Sequence, residues 1–567
     1  MSDLAYHLFR RMRVPLIVLI TVYAISVLGF VLIPGQDDQG QPWHMDFFHA
    51  FYFVSFMGST IGFGEIPYPF TDAQRFWALF SIYGTVVAWL FAIGSLLAIV
   101  QDPAFRAVMA RNAFVRGVRQ IRQPFYVVSG FGDSGALLLN ALSKHGIRAV
   151  VIDRDQSRID ALKVQGLEVH VPALCADASD PSSLEAAGVR MTNCAGVIAI
   201  TNDDEANLAV AITAKLFSRT RTVICRANHQ DTADNMASFG TDHVINPFET
   251  FAERFARAIH SPSLYLLYLW LTSTEHLRLN PPIAPPRGRW IVCGYGRFGK
   301  AVNRALHVEG VSTVIIEADP AKTQPPEGSV IGRGTEAETL QEAGIENAVG
   351  VIAGTDHDAN NLSIVLTARD LNPELFTVAR RTRGYNEQLF DAAWLDVVMQ
   401  PATIIAREVL ALVTTPLLAE FLRLIRGKEN DWANVLVSRI SGVTGETPPA
   451  TWTLTIGRHQ TPAVRDSLEH GGSITLAHLL TDPRDRSNAL PSVALLLKRG
   501  EAEELLPESS TQLVVGDRIL FCGLAQAERL MDWTALNHDA LDYVISGRER
   551  PDGILWRWLA ERWSSPG

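Results

Sequence analysis

Three groups of residues in this sequence have the types and spacing to do chemistry. Residues 59–65 read Ser-Thr-Ile-Gly-Phe-Gly-Glu. Gly62 and Gly64 alternate with Ile61 and Phe63, and glycine adopts left-handed dihedrals that other residues resist. The alternation lets the carbonyls from Thr60 to Gly64 turn toward one axis, where a ring of carbonyls replaces the hydration shell of an ion. The other two groups are glycine loops of the form Gly-x-Gly-x-x-Gly, at Gly130, Gly132, Gly135 and at Gly294, Gly296, Gly299. Each follows a β-rich apolar run, and an acid ends the next such run, Asp153 in one and Glu317 in the other. The glycines permit a tight turn, close approach to a pyrophosphate and close helix packing, and the acid can bind a ribose hydroxyl.

The elements that must position these groups are readable from hydropathy. Residues 14–33 and 76–100 carry no charge, and about 20 apolar residues cross a bilayer. The first run is long for a signal peptide and lacks a small-x-small cleavage site. Arg10, Arg11 and Arg13 precede the first span, and Arg106, Arg111, Arg116, Arg119 and Arg122 follow the second. The loop between has Asp37, Asp38 and Asp46 and no Lys or Arg before Arg75. Excess positive charge marks the cytoplasmic side, so both termini are expected inside a cell (inner) membrane crossed twice. The segment 45–58 is apolar but too short to cross and return, which suits a re-entrant half-helix. Irregular backbone at its end survives in a membrane only where it lines a water-filled cavity.

The rest of the chain is repeated. "FYVVSGFGDSG" at 125–135 echoes "RWIVCGYGRFG" at 289–299, and "AGVIAITNDDEANL" at 195–208 echoes "VGVIAGTDHDANNL" at 349–362. Short β-rich runs alternating with helical stretches predict a parallel sheet covered by helices on both faces. The fold class is therefore a membrane α-helical two-span domain plus α/β, with two Rossmann-like parallel-sheet domains and a small α+β C-terminal subdomain. The latter is read from strand-like runs "NVLVSRIS", "TWTLTIG", "SVALLLKRG" and "TQLVVGDRILFCG". The chain has 567 residues, 47% hydrophobic, and a net charge of −10, which argues against a general nucleic-acid binder. Its five scattered cysteines, with no CxxC, read as free thiols rather than a metal site.

Span, short apolar helix, "TIGFGE", span resembles a two-span prokaryotic potassium channel, whose filter typically reads Thr-Val-Gly-Tyr-Gly-Asp. Thr60, Gly62 and Gly64 match it; Ile61, Phe63 and Glu65 depart from it, and Phe63 lacks the bracing hydroxyl. The resemblance implies potassium ions in a filter at 60–64, a pore helix at 45–58 and a homotetramer. It makes Gly84 the gating hinge of the second span, with Gly94 as its rival. The repeated modules resemble tandem RCK (TrkA-N) domains. The expected organisation is a pore domain 1–102, a linker 103–122, a first RCK domain 123–279, a second 288–425, an RCK C-terminal subdomain 430–527 and a tail 531–567 with Trp556, Trp558 and Trp563. The apolar stretch 263–272 is expected as an interface helix between modules.

This resemblance implies that Arg226 and Arg380 serve phosphate, with Asp356 beside the second site. The second loop carries Arg297 where the first carries Asp133, so the second module is expected to bind NAD or an adenine nucleotide more tightly. Arg333 in place of Asp177 weakens its adenine side. The acids Asp203, Asp204 and Glu205 leave calcium open. The expected function is a non-enzymatic, ligand-gated potassium channel with a cytoplasmic gating ring of RCK domains. A weakly selective cation channel and an NAD-binding regulatory subunit of potassium transport are the alternatives. A tethered NAD-dependent oxidoreductase lacks a placed proton shuttle.

Overall fold

The computed structural model describes residues 2–64, 66–272, 283–445 and 447–547. Its contacts divide it into two units, Met1–Arg116 and Gly117–Gly567.

In the first unit, two helices are long and apolar enough to cross a membrane, within Arg10–Leu32 and over Asp72–Gln101. The second starts in a capping box, with Gln74 N donating to Thr71 Oγ1 (3.4 Å) and Thr71 N to Gln74 Oε1 (3.2 Å). Asp102 and Pro103 follow its end, and a further helix, Pro103–Gln120, begins there. Trp77 Nε1 donates to the Ser26 carbonyl at 3.0 Å. A Cβ on Gly29 would lie 2.0 Å from the Trp77 ring, so only glycine lets the two helices approach so closely. Between them, Phe47–Gly58 forms a short helix whose first turn is capped by Asp46, accepting from His49 N at 2.7 Å. At about 1.5 Å per residue it cannot span a bilayer. Val27, Phe30, Met45, Ala50 and Val54 form its small buried core.

The second unit holds two six-stranded parallel sheets of identical topology. The first runs 173–175, 148–153, 125–129, 194–199, 222–226, 243–245 across the sheet; the second runs 330–331, 313–317, 290–293, 350–353, 376–380, 397–399. This is the 3-2-1-4-5-6 order of a doubly wound fold, with both faces covered and the central strands apolar throughout. Val127 pairs with Val150 on one side and Val197 on the other.

The two modules exchange helices. Pro247–Ala258, which follows the first sheet, packs Phe248, Phe251 and Phe255 against Phe298, Val302 and Leu306 of the second module's first helix. Reciprocally, Pro401–Thr414 packs Ile405, Val409 and Leu410 against Leu138, Leu139 and Leu142 of the first module. Each buried Phe or Leu contributes about 1.5–3 kcal/mol, so neither module keeps its core without the other. A half-buried cluster fixes the same junction. Glu408 Oε1 accepts from Arg254 Nη2 (2.7 Å) and from the Tyr268 hydroxyl (2.7 Å), while the Arg254 guanidinium lies 3.5 Å over the Tyr268 ring.

The C-terminal sheet is antiparallel, in the order 450–455, 518–523, 492–499, 502–505. Two sequence readings need correction here, and a third is extended. "NVLVSRIS" is not a strand but part of the helix Asn430–Thr444, which buries Ala433, Leu436, Ile440 and Thr444 on one face. The β-branched residues favour strand only weakly, and the helical period of the buried positions decides. The stretch Pro262–Thr272 is a helix that meets the second module through Tyr268 and Glu408, and it packs on the C-terminal part of the chain as well. Leu267 and Leu271 cluster with Leu417, Phe421, Leu436, Leu495 and Leu520. Residues from 531 are no loose tail either: Met531, Ala535 and Leu541 belong to the core of the C-terminal sheet, on the helices Ala525–Leu536 and His538–Ser546. Trp556, Trp558 and Trp563 lie outside the described residues.

Candidate functional site

Two sites take shape, one in each unit. In the first unit, the chain leaves the Phe47–Gly58 helix and adopts left-handed dihedrals at every second residue: Thr60 (φ 62°), Gly62 (φ 66°) and Gly64 (φ 73°). Ile61 N and Gly62 N both donate to the Phe56 carbonyl, at 3.1 and 3.3 Å, which ties the segment to the helix end. Ile61 and Phe63 are exposed. For Thr60 the conformation costs on the order of 1 kcal/mol, whereas for the two glycines it is free of Cβ strain. Glu65 lies outside the described residues. Gly84 sits inside the unbroken Asp72–Gln101 helix, where an added Cβ would lie 3.3 Å from Val22 Cγ1; at Gly94 nothing lies within 4 Å. Gly84 is thus a point of close approach to the first span.

In the second unit, both glycine loops take the same form. Gly130 (φ 101°) and Gly294 (φ 93°) turn the chain after the first strand. A Cβ on Gly135 would lie 2.3 Å from the Gly130 carbonyl oxygen, and one on Gly299 would lie 1.9 Å from that of Gly294. Gly132 and Gly296 stand at the helix N-caps without a side-chain cap, so Asp133 and Arg297 are the first helical residues.

The two ribose-side acids are already engaged by their own loops. Asp153 accepts from Phe131 N (2.6 Å) and Asp155 N (2.8 Å), and Glu317 accepts from Tyr295 N (2.6 Å) and Asp319 N (2.9 Å). Both acids therefore hold their glycine loops in shape.

Two residues passed over in the sequence do comparable work. Asn207 Oδ1 accepts from Thr201 N (3.0 Å), and its Nδ2 donates to the Arg226 carbonyl (3.0 Å). Asn361 repeats this with Thr355 N (2.9 Å) and the Arg380 carbonyl (2.7 Å). Each buried amide fastens the loop after the fourth strand to the fifth strand. Their signal was present in the echo "DDEANL" and "DHDANNL". Phe248, also unremarked in the sequence, forms part of the wall of the cavity described next.

Over the first module's loop lies a cavity of about 1170 Å³. The first module contributes Gly130, Gly132, Asp133, Asp153, Asp177 and Arg226. The second contributes Arg297, Asp356, Arg380 and Arg383. Arg297, Arg380 and Asp356, read in the sequence as residues of the second module's site, thus also line the cavity over the first module's loop. The cause is the helix exchange, which lays Phe248 beneath the guanidinium groups of Arg297 (5.5 Å to the ring centre) and Arg380 (5.0 Å). Arg333 is exposed and does not line this cavity, whereas Asp177 does.

Positive charge is concentrated here. Arg226 donates to Asn202 Oδ1 (2.6 Å) and Asn228 Oδ1 (3.0 Å), both neutral groups. Burial, and then the neighbouring Arg297 and Arg380, press its pKa down to about 10, with Asp204 opposing. The Arg380 side chain is 7% exposed and pairs with Asp356 Oδ1 at 2.5 Å, while its Nε has no hydrogen-bond partner among the described residues. Burial works against ionisation of Asp356, but Arg380, Arg297 and His357 outweigh it and hold the carboxyl below its usual range.

The acids considered for calcium are otherwise employed. Asp203 caps a helix through Glu205 N and Ala206 N, and Asp204 accepts from Asn228 N and His229 N. Among the described residues, no group of three or more His, Cys, Asp or Glu side chains is placed to hold a metal ion. Cys225, Cys293 and Cys522 are free and buried, and burial pushes each thiol up to about 12.

An ion-channel family model matches residues 17–102, and a TrkA-N domain model matches twice, at 126–247 and 290–401. Potassium channel protein 1 of Methanocaldococcus jannaschii is 22% identical over 269 residues, 47% of this chain and 76% of that one. A Trk system potassium uptake protein TrkA homolog of Pyrococcus abyssi is 31% identical over 136 residues, 22% of this chain and 60% of that one. Among solved structures, the GsuK channel bound to NAD is 16% identical, with a TM-score of 0.45 over 94% of this chain and 100% of that one. GsuK bound to ADP is 17% identical, with a TM-score of 0.43 over 72% of this chain and 99% of that one.

Proposed function

We propose, for a chain that joins an ion-channel domain to two TrkA-N domains and is homologous to potassium channel proteins, that it conducts potassium as a homotetramer gated by a nucleotide. The carrying observation is the alternation of left-handed residues at Thr60, Gly62 and Gly64, at the end of a short apolar helix set between two spans. One such segment cannot enclose an ion, and four around an axis can. In this reading the carbonyls of Thr60 to Gly64 bind dehydrated potassium, both termini are cytoplasmic, and four chains bring eight modules into a gating ring. Gly84 is the hinge of the pore-lining helix. NAD or an adenine nucleotide binds on a glycine loop. Asp153 and Glu317, both acids, favour a free ribose 2′-hydroxyl over a 2′-phosphate. Binding changes the angle between modules, and the Pro103–Gln120 helix, continuous in sequence with both units, carries that change toward the pore.

The test is to record currents from purified protein in a planar bilayer under sodium and potassium gradients, adding NAD, NADH, ADP, ATP and calcium in turn. Potassium-selective current that responds to a nucleotide is expected. Gly62→Ala removes selectivity, because a methyl group opposes φ 66°. Equal sodium and potassium permeability in the parent overturns the filter assignment. Gly84→Ala changes open probability and leaves selectivity intact; unaltered gating there, with altered gating in Gly94→Ala, moves the hinge inward.

A further inference from the structure

The segment 60–64 hangs on the last turn of the short helix before it. The Phe56 carbonyl accepts from Ile61 N and Gly62 N, and the Met57 carbonyl accepts from Thr60 N at 3.1 Å. The Phe56 and Phe63 rings meet edge to face, with centres 6.4 Å apart. Phe63 has no hydroxyl with which to reach the structure behind it. Where the helix turn stands is therefore where the carbonyls of the segment stand.

The turn ends at Gly58, which is buried against both spans. A Cβ there would lie 2.6 Å from the Tyr23 hydroxyl oxygen, 3.2 Å from Tyr23 Cζ and 3.2 Å from Thr85 Cβ. Glycine is thus what lets the helix end rest directly on the hydroxyl. The hydroxyl is itself held from the second span: it accepts from Trp89 Nε1 at 2.7 Å. Thr85, fully buried beside it, donates its own hydroxyl to the Ser81 carbonyl at 2.7 Å. A hydrogen bond between two membrane helices can serve simply to join them. This one carries a third helix, through a residue whose lack of a side chain fits the oxygen beneath it.

We infer that Tyr23 is a positioning residue for ion selectivity: its hydroxyl, pinned by Trp89, is the rest on which Gly58 seats the turn that bears the filter. This rests on the reading of residues 60–64 as a potassium filter. A binding constellation keeps its geometry to within about 0.5 Å only when the side chains behind it are locked. Here the lock is one oxygen, fixed by both spans and touching the last residue of the pore helix. Without it the turn settles toward the ring, and the carbonyls that replace the ion's hydration shell move with the turn.

The experiment measures the potassium-to-sodium permeability ratio of the full-length protein in planar bilayers, alongside its thermal melting. Tyr23→Phe keeps the ring and removes the hydroxyl, and the ratio is expected to fall about two- to tenfold, the worth of one hydrogen bond. Trp89→Phe removes the donor and is expected to lower the ratio too. The two changes together should do no more than the larger one, because they break a single bond. Gly58→Ala drives a methyl group into the hydroxyl and is expected to lower the ratio as well. In the Tyr23→Phe background that methyl enters the space the oxygen has left, so the ratio recovers toward that of the parent. If Gly58→Ala alone yields no folded channel, a folded and selective double variant supports the inference in the same way. A Tyr23→Phe channel that melts lower but keeps the parent's ratio overturns it, since the bond then only joins the spans. A Gly58→Ala defect that is equal with and without the hydroxyl overturns it too. Equal sodium and potassium permeability in the parent is a different failure: it overturns the filter reading itself, before any variant is compared.

Discussion

The first and second modules share strand order, glycine geometry, a carboxylate clamped to its own loop and a buried Asn fastening the next loop. They differ at the positions that a ligand would touch: Asp133 against Arg297, Asn202 against Asp356, Asp177 against Arg333, and Phe248 against Ala402. The backbone of a duplicated fold is preserved by packing, since each glycine and each amide answers to a neighbour within its own module. Charge in the cavity over the first module's loop answers to the second module as well, because the helices cross. Divergence in one copy therefore registers as a change in the other copy's site.

The largest expected effect tests the shared half of the comparison. Gly135→Ala and Gly299→Ala each set a methyl group 2.3 and 1.9 Å from a carbonyl oxygen, far inside contact distance. Both destabilise by on the order of 3 kcal/mol, at the upper end of overpacking costs. Thermal melting of the full chain checks this, with the midpoint falling for both variants. A Gly135→Ala chain that melts like the parent would mean that its helix can back away from the strand, and that the copies are not equivalent even in backbone.

The second test separates fold from ligand. Asn207→Ala and Asn361→Ala each leave a loop N–H and an Arg carbonyl without their partner, at a cost of about 1–3 kcal/mol apiece. Melting should register both about equally. ADP affinity should fall in Asn207→Ala, whose loop carries Asn202 and Asp203 of the cavity wall, far more than in Asn361→Ala. The reverse order in calorimetry would move the ligand to the second module's glycine loop.

Most of the architecture was legible in the sequence, because parallel strands buried on both faces leave continuous apolar runs and glycine loops leave a fixed spacing. The spans and the short apolar helix were legible for the same reason: length against bilayer thickness is a one-dimensional quantity. What failed was decided by contacts distant in sequence. "NVLVSRIS" has strand-like composition, yet Leu436 and Ile440 meet Leu267 and Leu271 only when helical. That Arg297, read as a residue of its own loop, also lines the cavity over the first module's loop is seen only once Phe248 and Phe251 are packed on Phe298. Asn207 and Asn361 were visible in the repeat and were passed over because a polar residue inside a helix signals nothing until its loop partners are known.

A smaller effect belongs to Phe248, which has Ala402 as its counterpart. Its ring lies under Arg297 and Arg380 at 5.5 and 5.0 Å. Such contacts contribute about 0.5–1 kcal/mol each at partly exposed sites. Phe248→Leu keeps most of the apolar packing and removes the ring face, so ADP should weaken about two- to fivefold, with a stability loss of no more than about 1.5 kcal/mol at this buried position. An unchanged affinity would show that the guanidinium groups hold their places without the ring.

The smallest effect concerns Asp356, whose counterpart Asn202 is neutral. Its carboxylate competes with a phosphate for Arg380, to which it is bound at 2.5 Å. Its pKa is held below the ordinary 3.8, so its contribution to stability is present above about pH 4 and is lost as pH falls through the lowered value. At pH 7 the pair is intact. The carboxylate is 68% exposed, and screening keeps the pair's worth to no more than about 1 kcal/mol. Asp356→Asn at pH 7 should therefore cost little stability and free Arg380, tightening ADP by a fewfold in calorimetry. Tightening would make Asp356 a competitor that sets the threshold for nucleotide response. Weakening would show that the carboxylate instead aims the guanidinium at the phosphate.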